Sequence, residues 1–272
     1  MGRIISIANQ KGGVGKTTTA VNASAALSLA GRRVLLVDMD PQASATSGVG
    51  VTPDHPTIYD VLLGQAPAGD AVRLTSLERL WVMPSSRDLF GAEIELVPLT
   101  GREHRLRDAL RAVRDAYDYV LIDCPPSLGL LTLNALAASD SVLVPLQCEY
   151  YALEGLTALL ETVDLIRHQV NPSLVVEGLL LTMFDTRNSL SHQVANDVRQ
   201  HFQALVFSTV VPRNVRLSEA PSHGMPAVIY DPSARGSQAY VDLAHELIGG
   251  RAVDERAGPG ERQVAHDTGV EQ

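Results

Sequence analysis

The stretch Gln10-Lys11-Gly12-Gly13-Val14-Gly15-Lys16-Thr17-Thr18 is the strongest predictor of the fold. An apolar run at residues 4–8 precedes it and a helix-forming run at residues 18–30 follows it. Its glycines allow a tight turn whose N–H groups approach a phosphate chain, and the following helix adds the positive end of its dipole. Lys16 can then reach the β- and γ-phosphates, and the Thr17 hydroxyl can ligate Mg²⁺. The stretch therefore predicts a phosphate-binding loop rather than an ordinary glycine-rich turn.

The stretch departs from the usual phosphate-loop pattern at one place. The pattern G-x-x-x-x-G-K-[ST] has glycine where this chain has Gln10, and Lys11 follows. Because Lys16 already serves the loop's own phosphates, Lys11 is free to project outward, toward a nucleotide bound elsewhere. This favours a dimer in which two chains face each other.

Two acidic residues follow the next apolar run, residues 33–37. Asp38 and Asp40 leave the carboxyl edge of a predicted second strand, where open parallel sheets bind ligands. Carboxylates at that edge can serve Mg²⁺ through water or orient the water that attacks the γ-phosphate. Asp40, which a turn-forming proline follows, is the candidate for orienting water, and Asp38 is the candidate for holding the loop near the metal. The alternative is a pair of solvated turn aspartates.

A third acidic residue ends the apolar run at residues 119–123. Hydrophobic residues that end in an aspartate have the Walker B form, which predicts that Asp123 bonds to the Mg²⁺ shell from the strand tip. The signal is weak alone and strong downstream of a phosphate loop. Pro125 and Pro126 then form a stiff segment that can sense the γ-phosphate.

Composition restricts the class of protein. In 272 residues, 45% are hydrophobic and only 4% aromatic, and the mean hydropathy is +0.06. A soluble chain with an aliphatic core suits buried parallel strands. The net charge of −9 argues against bulk attraction to DNA or anionic lipid, so any such binding must use a local basic patch.

The cysteines and the N-terminus indicate a cytoplasmic protein. Cys124 and Cys148 lie in apolar surroundings at the ends of predicted strands, which favours buried reduced thiols over a disulfide framework or a zinc site. The chain starts directly with a strand and has neither a signal-peptide pattern nor an apolar run long enough to span a bilayer.

Strands and helices alternate along the rest of the chain. This pattern predicts an α/β fold with a mostly parallel twisted sheet and helices on both faces. Residues 43–99 carry weaker signals and indicate either an insertion or an excursion at the sheet edge. Residues 103–116 have helical periodicity with interleaved arginines and acids, which favours a solvated helix over a nucleic-acid contact. We expect one ATPase domain over residues 1–250 and a polar, disordered tail over residues 251–272. Further strands are predicted at 80–83, 141–146, 175–183 and 206–211, and further helices at 58–63, 130–138, 153–170 and 233–248.

These stretches together resemble the ParA/Soj family of bacterial chromosome and plasmid partition ATPases. The form Lys-Gly-Gly-Val-Gly-Lys-Thr-Thr is similar to the deviant Walker A loop of that group. Residues 211–224, V-P-R-N-V-R-L-S-E-A-P-S-H-G, are especially particular to the family. Longer plasmid-borne members carry an N-terminal helix-turn-helix that represses transcription, and this role is not implied here because the chain starts at the loop's strand. The other similar stretches are 9–19, 34–42, 122–131, 147–155 and 180–183.

The resemblance implies that the chain hydrolyses ATP with Mg²⁺ and assigns residues to that reaction. Lys11 would cross the dimer interface to the partner's ATP, Lys16 would bind phosphate, and Asp40 would orient water. The metal would be served by Thr17, Asp38 and Asp123. The nucleotide-binding set is Lys11, Gly12, Gly13, Val14, Gly15, Lys16, Thr17, Thr18, Pro212 and Asn214, the last two against adenine.

The resemblance also implies partners. Family members dimerise on ATP, coat the nucleoid, and are released when a ParB-type centromere-binding protein stimulates hydrolysis. Arg187 and Arg216 would belong to a surface that binds DNA without sequence preference, and Arg213 is a candidate for either that surface or the adenine site. The alternative for Arg216 is that it only pairs with an acid such as Glu219 and shapes the loop. No membrane attachment is implied.

Three rival interpretations fit the sequence less well. A MinD-like membrane-cycling ATPase shares the deviant loop but anchors through a C-terminal amphipathic helix, and the tail here lacks an apolar face. An electron-transferring iron protein would need cysteines that bridge a cluster between subunits, whereas Cys124 lies in a predicted buried strand. A module that binds nucleotide without hydrolysing it is disfavoured by Asp40, and ADP release with and without DNA would distinguish it.

Overall fold

The computed structural model of the chain describes residues 2–149 and 152–250. Within those residues eight strands form one sheet. The predicted tail, residues 251–272, lies outside the described residues. The strands are β1 (Arg3–Ile7), β2 (Val34–Asp38), β3 (Arg73–Leu74), β4 (Leu80–Met83), β5 (Tyr119–Asp123), β6 (Ser141–Gln147), β7 (Val175–Phe184) and β8 (Val206–Pro212).

The strands lie in the order β3-β4-β2-β5-β1-β6-β7-β8. Each described neighbour pair is parallel except β3 with β4, which is antiparallel at the edge. In the register of the central strands, Asp123 lies opposite both Ile7 and Asp38. The carboxyl ends of β1, β2 and β5 therefore meet, and this brings the phosphate loop and the acidic residues to one place.

Helices cover both faces of the sheet because successive strand side chains point to opposite sides. Ile4 packs into the core under α3 to α8, whereas Ile5 packs into the core under α1 and α11. The helices are α1 (Lys16–Leu29), α2 (Ser44–Gly48), α3 (Ile58–Leu63), α4 (Leu89–Glu95), α5 (Arg105–Leu110), α6 (Leu130–Ala138), α7 (Ala152–Gln169), α8 (Ser189–Phe202), α9 (Arg216–Glu219), α10 (Ala227–Tyr230) and α11 (Arg235–Gly249).

The first helix is buried almost all round. Ala20, Ala23 and Leu27 have no exposed surface, because α1 lies between the sheet and α11. Its small side chains allow both neighbours to approach closely, and the buried Thr19 hydroxyl is hydrogen-bonded to that of Tyr240 in α11 at 3.1 Å. This packing fixes the direction in which the N-terminus of α1 faces the phosphate loop.

The predicted fold class is confirmed: the sheet is mostly parallel and helices lie on both faces. The predicted edge position of residues 43–99 is also confirmed, since β3 and β4 end the sheet on one side. The continuous helix predicted over 103–116 is wrong. Only α5 is α-helical there, and short 3₁₀ turns precede and follow it. Arg114 turns inward instead, to the Gly2 carbonyl at 2.6 Å and to Asp140.

Candidate active site

The phosphate loop joins β1 to α1 at the carboxyl edge of the sheet. Gly13 and Gly15 have left-handed φ values of 76° and 90°, which residues with a side chain adopt only with strain. A Cβ atom added at Gly12 or Gly13 would meet no heavy atom within 4 Å. The turn is therefore open at these residues, and a phosphate chain can approach its backbone.

Two buried side chains anchor the loop from outside. The Thr182 hydroxyl in β7 donates to the Val14 carbonyl at 2.9 Å. The Asn9 amide donates to the Pro145 carbonyl at 2.8 Å, and its oxygen accepts from the Lys11 N–H at 2.9 Å. Neither residue has a role predicted from the sequence. Asn9 directly precedes the loop and Thr182 lies in the similar stretch 180–183, but neither position by itself predicts an anchoring contact.

The two lysines leave the loop differently. Lys16 is 7% exposed and its ammonium donates to the Lys11 carbonyl at 3.0 Å. Burial lowers the pKa of Lys16, and the carboxylate of Asp123 opposes that effect. The Lys11 side chain is 47% exposed and its Nζ pairs with Glu149, beyond the end of β6, at 2.5 Å. Lys16 therefore faces the loop's interior, and Lys11 lies on its outer side.

Asp123 is fully buried at the end of β5. Neither of its carboxylate oxygens has a hydrogen-bond partner among the described residues. Burial and the neighbouring Asp38 raise the pKa of Asp123 well above its ordinary value. The nearby Thr17 hydroxyl lowers the pKa of Asp123 in part, although the two side chains are not placed for a well-formed hydrogen bond. A buried carboxylate without donors is costly unless a cation completes its surroundings.

The residues fit Mg²⁺ in this respect. The described chain holds no cluster of three or more histidine, cysteine or acidic side chains that would bind a metal by itself. Mg²⁺ is usually held by one or two carboxylates together with substrate phosphates and water. Asp123 and the Thr17 hydroxyl beside the loop are donors of that kind.

Asp38 ends the neighbouring strand β2 and Asp40 follows two residues later, and the two differ in their surroundings. Asp38 is fully buried, and its two oxygens accept from the Asp40 N–H at 3.1 Å and from the backbone N–H and hydroxyl of Thr46 at 2.8 and 2.7 Å. Burial raises the pKa of Asp38 above its ordinary value. Asp40 is half-buried and faces the phosphate pocket, which Lys16, Thr17 and Gln42 also line. In this arrangement Asp38 holds the loop, and its role toward a metal stays a prediction.

A second pocket adjoins the phosphate pocket. Pro212 and Asn214 line it together with Leu217 and Tyr240, and Met183 lines both pockets. The pocket is partly apolar, and Gly15 and Thr18 line both this pocket and the phosphate pocket. Met183 has a left-handed φ of 50° at this junction, a strained conformation for a residue with a side chain.

The three arginines predicted to contact DNA are exposed, and two have acidic partners. The Arg187 guanidinium, 88% exposed, pairs with Asp185 at 3.1 Å and lowers the pKa of that carboxyl to about 2. Arg213 is exposed and also lowers the pKa of Asp185, so these three groups lie together. Arg216 pairs with Glu219 at 2.7 Å and with Asp231 at 3.2 Å.

Both cysteines are free and buried. Burial raises the pKa of the Cys124 thiol far above its usual range and that of Cys148 to about 11. Neither sulfur lies on the surface, where a cluster between subunits would need it.

Among residues 2–149 and 152–250, no helix is long and apolar enough to cross a bilayer.

Sequence comparison relates the chain to partition proteins. A sequence model described as an AAA domain matches residues 2–176. The sporulation initiation inhibitor protein Soj of Bacillus subtilis is 57% identical over 249 residues, which are 91% of this chain and 98% of that protein. The chromosome partitioning protein ParA of Myxococcus xanthus is 58% identical over 250 residues, 91% of this chain and 88% of that protein.

Solved structures agree in fold. A cobyrinic acid a,c-diamide synthase of Mycobacterium smegmatis, solved with ADP and magnesium, has a TM-score of 0.80 at 39% identity and covers 92% of this chain and 98% of its own. The septum site-determining protein MinD of Pyrococcus horikoshii, complexed with Mg-ADP, has a TM-score of 0.76 at 30% identity and covers 91% and 96%. Over nearly the same span, identity to Soj and ParA is well above identity to MinD. The chain belongs to the ParA/Soj family of partition ATPases.

Proposed function

We propose that this chain is a Mg²⁺-dependent ATPase that partitions a chromosome or plasmid by forming an ATP-bound dimer on DNA. The observation that carries the proposal is the opposite placement of the two loop lysines, with Lys16 buried toward the phosphates and Lys11 on the outer side. A lysine on the outer side cannot serve its own phosphates without leaving Glu149. It can serve those of a facing chain.

ATP binding uses the loop amides, Lys16 and Thr18 for the phosphates and the pocket at Pro212 and Asn214 for adenine. When bound, Mg²⁺ supplies positive charge that neutralises charge developing on the transferred phosphoryl group. Thr17 and Asp123 would hold it. Asp40 orients the attacking water by accepting one of its hydrogen bonds, and Lys16 stabilises the developing charge.

Dimerisation brings Lys11 of each chain to the phosphates of the other. For this to happen the ion pair with Glu149 must open. The side chains of that pair are 47% and 46% exposed, so its cost of opening is low, on the order of 0.2–1 kcal/mol. The ion pair therefore holds Lys11 in place in the monomer, and Lys11 can still leave Glu149 to bind the phosphates of a partner chain.

DNA binding follows from the dimer. The net charge of −9 repels DNA at long range, and one chain offers few exposed arginines near the second pocket, among them Arg187, Arg213 and Arg216. Two chains double that number, and affinity for duplex DNA depends steeply on the phosphates neutralised. A ParB-type centromere-binding protein then releases the complex by stimulating hydrolysis.

The test compares Lys16→Ala, Lys11→Ala and Asp40→Ala with the parent. We expect Lys16→Ala to lose ATP binding and Lys11→Ala to bind ATP without forming the dimer. Asp40→Ala should bind ATP and hold the dimer, with a rate of hydrolysis lowered by roughly 100-fold, as for loss of other positioned catalytic groups. Light scattering measures the dimer and phosphate release measures hydrolysis.

Three outcomes would contradict the proposal. Asp40→Ala hydrolysing ATP at the parent rate would remove its role, and an ATP-dependent dimer of unchanged affinity in Lys11→Ala would remove that of the outer lysine. Binding of the ATP-bound protein to anionic vesicles in preference to DNA would indicate a MinD-like membrane cycle instead.

A further inference from the structure

Thr46 is a buried hydroxyl residue that no step of the proposed reaction has used. It lies in α2 and has no exposed surface. Its backbone N–H and its Oγ1 both donate to Asp38 Oδ2, at 2.8 and 2.7 Å. Its Oγ1 also accepts from the Ser85 N–H at 3.0 Å. A hydroxyl has one proton, so it can donate only one hydrogen bond. The Thr46 hydroxyl donates its proton to Asp38 and accepts the Ser85 N–H with a lone pair of its oxygen.

Asp38 passes this constraint on to the loop that carries Asp40. Its other oxygen, Oδ1, accepts from the Asp40 N–H at 3.1 Å. One carboxylate therefore holds both ends of residues 40–46. Inside the segment, the Ala43 N–H donates to the Asp40 carbonyl at 2.9 Å and Ala43 has a left-handed φ of 54°. The loop is a tight turn whose two ends are joined through Asp38.

The Ser85 contact connects the same turn to the sheet. Ser85 lies just beyond the end of β4, and β4 pairs with β2, the strand that ends in Asp38. The Thr46 hydroxyl thus bridges the ends of two neighbouring strands across the base of the turn. This bridge holds the backbone of Asp40 in a fixed position relative to the phosphate pocket.

We propose that Thr46 is a positioning residue for ATP hydrolysis, which acts through Asp38 to hold Asp40 where it orients the attacking water. This inference rests on the proposed function. Catalytic groups must be held within a fraction of an ångström, and misplacement by about 1 Å costs roughly 100-fold in rate. Thr46 itself does not line the phosphate pocket.

Two substitutions separate the hydroxyl from the shape of the side chain. Thr46→Val keeps the volume of the side chain but removes two hydrogen bonds, the one that the hydroxyl donates to Asp38 Oδ2 and the one that it accepts from the Ser85 N–H. Thr46→Ser keeps the hydroxyl and loses a methyl group. If the hydroxyl positions the turn, serine retains the rate of hydrolysis and valine does not.

A matched control removes a similar hydrogen bond at the amino ends of the strands, opposite to the ends that carry the phosphate loop. The buried Ser141 hydroxyl donates to the Glu177 carboxylate at 2.7 Å, at the start of β6. Ser141→Ala therefore deletes a hydroxyl that serves a buried carboxylate far from the phosphate loop. It should lower the melting temperature as Thr46→Val does and leave the rate of hydrolysis unchanged.

The experiment measures kcat and KM for ATP, the Kd of a non-hydrolysable ATP analogue with Mg²⁺, the lifetime of the ATP-bound dimer, and the melting temperature. For Thr46→Val we expect kcat to fall roughly 10- to 100-fold. The Kd should change by less than about threefold and the dimer should live longer, since loss of positioning spares the phosphate cradle. Thr46→Ser should keep kcat within about threefold of the parent.

The outcomes separate this inference from the proposed function. Parent-like kcat in Thr46→Val, or equal losses of kcat in Thr46→Val and Ser141→Ala, would overturn the role of Thr46 alone. A parent protein that does not hydrolyse ATP would instead overturn the proposed function. If Thr46→Val does not fold, Thr46→Ala carries the same expectation for kcat, Kd and dimer lifetime, and parent-like kcat there overturns the role equally.

Discussion

At the scale of single residues, the ion pair between Lys11 and Glu149 sets how easily the outer lysine becomes available. Both side chains are about half exposed, so the pair contributes only roughly 0.2–1 kcal/mol. Glu149→Gln removes the charge and should lower the ATP concentration needed for dimerisation by up to about fivefold, because Lys11 no longer leaves a partner. Light scattering against ATP concentration measures this.

Glu154→Gln is the control for that change. Glu154 is an exposed acid in α7 for which the described structure gives no ion pair, so its substitution alters net charge equally. Weaker dimerisation in Glu149→Gln than in Glu154→Gln would mean that Glu149 contributes to the dimer interface itself.

His55 predicts a dependence of stability on pH. Its Nδ1 lies 2.8 Å from Asp60 and its Nε2 lies 3.3 Å from Asp88, and the hydrogen bond to Asp60 raises the pKa of His55 above its ordinary value. The folded chain therefore holds this proton more tightly than the unfolded chain. The stabilisation is complete below about pH 6.5 and is lost as the pH rises through the folded-state pKa.

Removing the imidazole tests the sign. His55→Gln should lower the free energy of unfolding at pH 6 by roughly 0.2–1 kcal/mol, the range for exposed pairs, and by less at pH 8.5. Urea unfolding at the two pH values measures it. A loss that is larger at pH 8.5 would contradict the assigned direction of the pKa shift.

How far residues could be predicted depends on whether their chemistry is local. Lys16 and Asp123 were predictable because a phosphate loop and a strand tip have their own sequence patterns. Thr182 and Glu149 were not, because each contacts the loop from a position far away in sequence. Thr46 was not, because Asp38 and Ser85 meet at its hydroxyl only once β2 pairs with β4. The Glu219 partner of Arg216 was anticipated as an alternative, since three residues separate them on one helical turn.

At the scale of elements, α2 touches the segment that follows α9. Gly50, after α2, has a left-handed φ of 75°, and a Cβ atom there would lie 2.7 Å from the Gly224 carbonyl oxygen. Gly31 also has a left-handed φ, 82°, but a Cβ atom there would meet nothing within 4 Å. The two glycines therefore share backbone strain and differ in crowding.

This difference predicts unequal costs of substitution. Gly31→Ala should lower the free energy of unfolding by about 1–2 kcal/mol, the cost of left-handed backbone. Gly50→Ala should cost a further 1–3 kcal/mol or so, because its Cβ atom overpacks against fixed backbone. Denaturant unfolding of the two variants measures the difference, and equal losses would mean that the segment at Gly224 moves freely.

Most elements were predictable from periodicity, and the exceptions have physical reasons. Helix α8 was missed although its buried residues Val194, Ala195 and Val198 have helical spacing. The segment 103–116 has that spacing too, yet periodicity alone does not distinguish a helix from successive turns. There Arg114 bonds to Gly2 and Asp140, and these distant contacts decide the local structure.

At the scale of the whole molecule, charge governs the interaction with DNA. Arg216→Ala should weaken ATP-dependent DNA binding for all sequences alike and lower the log–log salt slope by about 0.9 for each chain. ATP-dependent dimerisation should stay intact. DNA binding measured at several salt concentrations checks the slope.

Arg33→Ala is the matched control. Arg33 is 46% exposed and paired with Asp118 at 3.0 Å, and Arg216 is likewise 45% exposed and paired with Glu219. Arg33, however, lies at the amino end of β2, whereas Arg216 follows the carboxyl end of β8. If Arg216→Ala binds DNA as Arg33→Ala does, the Arg216 guanidinium serves only its two acids and shapes its loop.

The parallel sheet was predictable from the alternation of strands and helices, whereas the order of the strands was not. β5 lies between β1 and β2 although more than seventy residues separate it from β2 in the chain. Such pairing depends on which distant apolar faces fit together, and local periodicity carries no information about it.

Cys124 gives the active-site edge a chemical reporter. Its thiol follows Asp123 directly, is 1% exposed, and has a raised pKa that leaves almost no reactive thiolate. An alkylating reagent can reach this sulfur only when the end of β5 opens. The rate of alkylation therefore counts opening events beside the proposed metal site, and a nucleotide that closes this edge would slow it.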